Sequence, residues 1–192
     1  MTEKTVSDQA VRFVFDDCAV RGVWVQLDQT LAQLLAQQPD YTQAERVLLG
    51  ESVVASVLLT RTIKLKGRVA LQARSEKALR LLVAECTNDG DVRGVVELDE
   101  SITEEQLVPL APLMAGGYLA VALLPDAGER YQGIVPLDGD RIQDCLADYF
   151  VRSEQLATGF WLASDGVRAA GLMLQVLPAE DRDEDVWPRL TA

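Results

Sequence analysis

Three thiols, adjacent carboxylate pairs such as Asp16-Asp17 and Glu104-Glu105, and one cationic cluster are the groups in this chain that could do chemistry. Each lacks the partner its chemistry needs. Cys18, Cys86 and Cys145 stand far apart with no Cys-x-x-Cys pair, so neither a zinc site nor a redox dithiol can be read from their spacing. Inert, reduced thiols are the expectation, although Arg141, one turn before Cys145 on an expected helix, would modestly favour its thiolate. Asp16-Asp17 and Glu104-Glu105 have the side chains for acid-base work, yet adjacent acids are ordinarily a solvated face. The chain has no histidine, which excludes histidine-based triads and histidine metal sites, and it has no phosphate-binding glycine loop. We expect no catalytic residue, no metal ligand and no cofactor in this chain, and an enzyme is not expected.

The cationic cluster Arg61, Lys64, Lys66 and Arg68 falls at an expected helix end, where cations satisfy terminal carbonyls and the macrodipole. The net charge of -12, from 30 acidic and 18 basic residues, repels phosphate backbones and anionic lipid. Nucleic acid and membrane are therefore not expected partners. Charges cut every apolar run short of a bilayer span, and the Met1-Thr2-Glu3-Lys4-Thr5 start has no secretory pattern, so the cytoplasm is the expected compartment.

The elements that must position these groups follow from periodicity. Val11 to Phe15 predicts a strand with Val11, Phe13 and Phe15 on one face, and Val20 to Leu27 a second strand that sets Val23, Val25 and Leu27 opposite Gly22, Trp24 and Gln26. Together they predict a hairpin. Asp28 is the expected N-cap of a short helix with Leu31, Leu34 and Leu35, which Pro39 stops. Thr42 and Glu45 form a capping box for a longer helix. Its apolar residues, from Val47 to Leu59, surround most of the circumference and predict burial between layers, with Lys66-Gly67 closing it. Gly50 within it calls for a close approach by another element.

Val69 to Ala73, Leu79 to Cys86 and Val92 to Leu98, the last two joined by Asn88-Asp89-Gly90, predict an antiparallel meander. A short helix is expected from Thr103, then strands from Tyr118 to Leu124 and from Tyr131 to Leu137. Asp138-Gly139-Asp140 predicts a turn and cap for an amphipathic helix carrying Ile142, Leu146, Tyr149 and Phe150. Final strands run from Ala157 to Ala163 and from Ala169 to Leu177. Helices and antiparallel strands intersperse without βαβ alternation, giving an α+β class: mixed, largely antiparallel sheets packed with a buried helix and interspersed short helices. Residues 1-178 form the expected domain. The charged run in 179-192 predicts a solvated linker or tail, interrupted by Val186, Trp187 and Leu190, which would give it a means of docking.

Tyr131-Gln132-Gly133-Ile134-Val135-Pro136-Leu137 and Ser153-Glu154-Gln155, together with Val20-Arg21-Gly22, Leu48-Leu49-Gly50-Glu51, Leu65-Lys66-Gly67 and Gly171 to Pro178, carry a resemblance. The chain resembles the thirty-three-kilodalton heat-shock protein family of redox-regulated holdase chaperones, over about Gln9 to Pro178. It departs at Ser75-Glu76-Lys77-Ala78 and Ala170-Gly171-Leu172, where members often carry Gly-Asp-Gly-Pro and Ala-Gly-Gly. The zinc-binding cysteine module that governs the family's redox switch is absent from this chain, so redox control does not transfer.

The resemblance implies a cytoplasmic, ATP-independent chaperone core that binds unfolded or partly unfolded proteins, forms a homodimer, and in full-length members holds zinc. A holdase needs accessible apolar surface rather than catalytic groups. Phe13, Phe15, Trp24 and Trp161 are the client-binding candidates, set against their serving as core residues on alternating strands. A structural or oligomeric domain without independent chaperone activity is the alternative.

Overall fold

The computed structural model describes residues 8-63, 66-100, 102, 114-178 and 186-191. One helix, α2 (Gln43-Thr62), lies between two antiparallel sheets and organises both. The first sheet has four strands in the order β1 (Gln9-Val14), β2 (Val20-Leu27), β9 (Ala169-Val176) and β8 (Thr158-Ser164). The second has five, in the order β5 (Val92-Leu98), β4 (Leu79-Thr87), β3 (Gly67-Arg74), β6 (Tyr118-Pro125) and β7 (Tyr131-Pro136). Helix α1 (Gln29-Ala36) precedes α2, α3 (Ile142-Ser153) joins β7 to β8, and α4 (Val186-Thr191) follows β9. This is the α+β arrangement expected, with the expected buried helix. The short helix expected from Thr103 lies outside the described residues.

Every residue of α2 from Leu48 to Thr60 is buried. Leu49, Val53, Val54 and Leu58 fill the space between the sheets, with Val25 and Met173 on one side and Leu71, Leu82 and Val96 on the other. A helix buried all round needs an internal partner for each polar side chain. Ser52, Ser56, Thr60 and Thr62 find one by donating to carbonyls of the preceding turn at 2.7 Å. Gly50 has the close approach its position required: a Cβ there would collide with the Ser164 hydroxyl, so the β8-β9 hairpin sits directly against the α2 backbone.

The capping box is present, with the Glu45 amide donating to Thr42 Oγ1 at 3.3 Å and the Thr42 amide to Glu45 Oε2 at 2.9 Å. Three other caps differ from expectation. Asp28 occupies the N-cap position of α1, but its side chain makes no capping bond. Asp8 does so instead, from twenty residues upstream, accepting the amides of Asp28, Gln29 and Thr30 at 2.7 to 2.9 Å. For α3 the cap comes from inside the helix, where Asp144 accepts the Arg141 amide at 3.0 Å. At the far end of α2 the chain turns extended at Ile63, four residues before Gly67. The Arg21 guanidinium there donates to the Thr62 carbonyl at 3.4 Å, and to Gln175 Oε1 through Nε at 3.0 Å, supplying from β2 what a glycine cap would otherwise give.

Candidate functional site

Strand register divides the four-stranded sheet into two unlike faces. Val23, Val25 and Leu27 of β2 pair in line with Met173, Gly171 and Ala169 of β9, and these in turn with Phe160, Leu162 and Ser164 of β8. That set meets α2. The alternate residues must point away from the helix. On β1 they are Gln9, Val11 and Phe13; on β2, Val20, Gly22, Trp24 and Gln26. On β9 they are Ala170, Leu172, Leu174 and Val176, and on β8, Gly159, Trp161 and Ala163. None of these side chains ionises.

Phe13, Trp24 and Trp161 therefore share this face, and Phe15, just past β1, packs with Phe13 against the same side. Phe13 lies across Gly22, whose missing side chain makes room for the ring, and meets Phe15 edge-on with centroids 5.8 Å apart. Trp24 stands between Val11 and Leu172, and Leu172 pairs in turn with Trp161. Trp161 is 39% exposed, so it is not an interior residue, while Phe13, Phe15 and Trp24 are half-buried. The alternation reading located these residues but missed what packs on them.

That partner is α4. Val186 is buried, and with Val20, Leu174 and Val176 it forms a second, smaller core separate from the one around α2, joined by the half-buried Trp187 and Leu190. The rings of Trp161 and Trp187 both close over Gly159. Docking, rather than solvation, is thus the state of residues 186-191. Leu172, Leu174 and Val176 had a legible signal as well: apart from Gln175, β9 is apolar on both faces, as a strand covered from both sides must be.

The motif residues that carried the resemblance have a packing role. The Tyr149 ring lies over Gly133 of β7, and Tyr149, Phe150 and Phe160 form an aromatic chain from α3 to β8. Burial, then a hydrogen bond with Tyr131, pushes the Tyr149 hydroxyl well above the ordinary phenol range. Gln155 ends α3 in the left-handed conformation at φ 54°. Glu51, 4% exposed, is the one buried carboxylate of α2. Burial raises its pKa, and the Arg141 guanidinium opposes the rise by pairing with it while also donating to the Leu162 carbonyl at 3.1 Å.

Arg141 is accordingly occupied with Glu51, and Cys145 gains no activation from it. Burial is the largest influence on the Cys145 thiol and pushes it up, as it does for Cys86. Among the described residues no cluster of cysteine and carboxylate side chains could hold a metal ion, so the zinc implied by the resemblance has no fitting donor set there. No helix of the described residues is long and apolar enough to cross a membrane.

Comparison with known proteins places this arrangement among relatives. A family profile described as Hsp33 protein matches residues 8-190. A 33 kDa chaperonin of Pseudomonas fluorescens strain SBW25 is 44% identical over 200 residues, an alignment spanning 100% of this chain and 65% of the relative. That of Ectopseudomonas mendocina strain ymp is 45% identical over 180 residues, spanning 93% of this chain and 60% of the relative. The crystal structure of a 33 kDa chaperonin (heat shock protein 33 homolog) from Thermotoga maritima superposes with a TM-score of 0.77 at 25% identity, over 92% of this chain and 63% of that one. This chain thus spans slightly less than two thirds of the length of these relatives.

Proposed function

The chain belongs to the Hsp33 family, and from that membership we propose that these residues form the client-holding core of an ATP-independent holdase chaperone. Partly unfolded proteins bind on the outer face of the four-stranded sheet. One observation carries the reading: a sheet face bordering solvent, with Val11 47% and Trp161 39% exposed, has no ionisable side chain on any of its strands. Contiguous apolar surface of this kind is atypical of a monomer's exterior and marks an interaction site.

Holding requires no bond to be made or broken. Removing apolar area from water contributes roughly 25 cal/mol per Å², and tryptophan and phenylalanine offer large area with few rotors to freeze. Phe13, Phe15, Trp24 and Trp161 supply that area. The rest of the molecule, with its net charge of -12, keeps a chaperone-client complex soluble. Cys86 and Cys145 supply no trigger for the step, because both are buried and their thiols are pushed up rather than activated.

Light scattering of a thermally unfolding client, without nucleotide and under reducing conditions, tests the proposal. Suppression near stoichiometric ratios is expected. Unchanged scattering at excess chain would leave a structural module instead.

A further inference from the structure

Resting on that client-binding reading, we infer that the outer face of the four-stranded sheet is shaped for the apolar side of an amphipathic helix rather than for an extended strand, so that clients dock on it as helical segments.

The occupant already present shows the fit. In α4, Val186, Trp187 and Leu190 lie against the sheet, while Pro188, Arg189 and Thr191 are exposed. That is helical spacing, i, i+1 and i+4, and not the alternation with which a strand would meet a surface. The helix has six residues, one of them proline. Isolated helices shorter than roughly 12-15 residues are marginal in water, so α4 owes its order to the sheet beneath it. A surface that orders so short a helix is selecting that conformation.

The relief of the face accounts for the selection. Gly159 leaves a depression into which the Trp187 ring reaches beside Trp161. Leu174 and Val176, with Val20 of the neighbouring strand, form the floor on which Val186 sits. Large rings standing over glycines give a corrugated surface that admits side chains grouped on one helical turn. An extended chain makes its strongest contacts through backbone pairing at a sheet edge instead, here β1 or β8, whereas the floor under Val186 is formed by β2 and β9, both interior strands. A longer client helix with the same spacing buries more area than α4 and displaces it.

Two labelled peptides of about 18 residues test this, long enough for a stable amphipathic helix. They share one composition of Trp, Leu and Lys. One has its apolar residues at i, i+3, i+4 and i+7; the other alternates apolar and polar residues. Lysine fills the polar positions so that the acidic chain repels neither. Fluorescence anisotropy against the full chain is expected to show the helical peptide binding about tenfold tighter. Trp187→Ala, which weakens the resident cover, is expected to tighten it several-fold further. Equal or tighter binding of the alternating peptide overturns the inference. Binding of neither peptide, with client aggregation still suppressed, also overturns it and leaves the holdase reading standing. Loss of suppression as well as of peptide binding would defeat the holdase reading beneath it.

Discussion

The four-stranded sheet turns Val11, Phe13, Trp24, Leu172 and Trp161 away from α2, whereas the five-stranded sheet turns Arg68, Arg74, Glu85, Arg93 and Glu97 away from the same helix. Their inner faces are alike because one helix, apolar around its whole girth, demands apolar partners on both sides. Beyond the patch that α4 covers, nothing in the fold makes that demand of the outer faces. The five-stranded sheet takes the ordinary course, with Arg68 and Glu85 paired across adjacent strands at 3.9 Å. The four-stranded sheet does not, and the difference separates what the fold requires from what it leaves open to function.

Placing charge on each face in turn should break or confirm this contrast, and the largest effect is expected here. Val11→Glu with Trp161→Glu puts two carboxylates at exposed positions of the apolar face. We expect the chain needed for half-suppression of client aggregation to rise by about tenfold, equivalent to 1.4 kcal/mol of client affinity. Ile134→Glu, at a position 63% exposed on the outer side of the five-stranded sheet, should change it less than about twofold, since substitutions at such surface sites usually stay within 0.5 kcal/mol. Circular dichroism on each variant separates lost binding from lost folding. Equal losses on the two faces would remove the distinction.

How much of this contrast could be read from the chain differs between the two sheets. Alternation in Val20 to Leu27 placed Trp24 opposite Val25 correctly, and Asn88-Asp89-Gly90 marked the β4-β5 turn, with Gly90 at φ 99°. These signals are local. What was not legible depends on partners distant in sequence. Asp28 looked like the cap of α1, but the carboxylate that reaches those amides is that of Asp8, brought there by the β1-β2 hairpin. Arg21 ends α2 from a different element. Val186, Trp187 and Leu190 follow a charged run, and only the apolar face across from them makes docking favourable. Periodicity gives the faces of an element but not the element that will cover them.

The glycines sharpen the comparison at a smaller scale. On the apolar face Gly22 lies under Phe13, and an added methyl would drive the ring off the sheet. Overpacking typically costs about 1-3 kcal/mol, so Gly22→Ala should lower stability by that order in urea unfolding and disturb client binding with it. At Gly128, with φ 109° in the β6-β7 turn, an added Cβ would meet no atom of another element within 4 Å. Gly128→Ala should register only backbone strain in unfolding, with client binding intact.

Asp8 links the edge of the apolar sheet to α1 and provides a pH-dependent measure of that link. Burial opposes its ionisation, but hydrogen bonds from the Thr30 hydroxyl and the three amides outweigh this and hold its pKa below the ordinary carboxylate value. A carboxylate with a depressed folded pKa contributes stability that is complete above its unfolded pKa and is lost as pH falls through the folded value. Asp8→Asn keeps only one of the two oxygens that accept the Asp28, Gln29 and Thr30 donors, so it should cost about 1 kcal/mol at neutral pH. The gap between wild type and variant in urea unfolding should close as pH drops below the ordinary aspartate range. No gap at neutral pH would show that the side chain's shape, not its charge, holds β1 to α1.

The smallest expected effect belongs to the charged face, and its smallness is what the comparison requires. Arg68 and Glu85 are both partly exposed to solvent, so their attraction is screened and offset by the entropy of fixing two long side chains. Arg68→Ala should shift stability by less than about 0.5 kcal/mol and shift it less still in high salt. Client suppression should not move. If removing that pair instead impaired holding, the five-stranded sheet would take part in client contact, and the absence of ionisable groups on the outer face of the other sheet would no longer distinguish a binding face. If the stability loss were large, the charges would be organising the sheet, and the fold would constrain its outer surface more than the bare alternation of its strands implies.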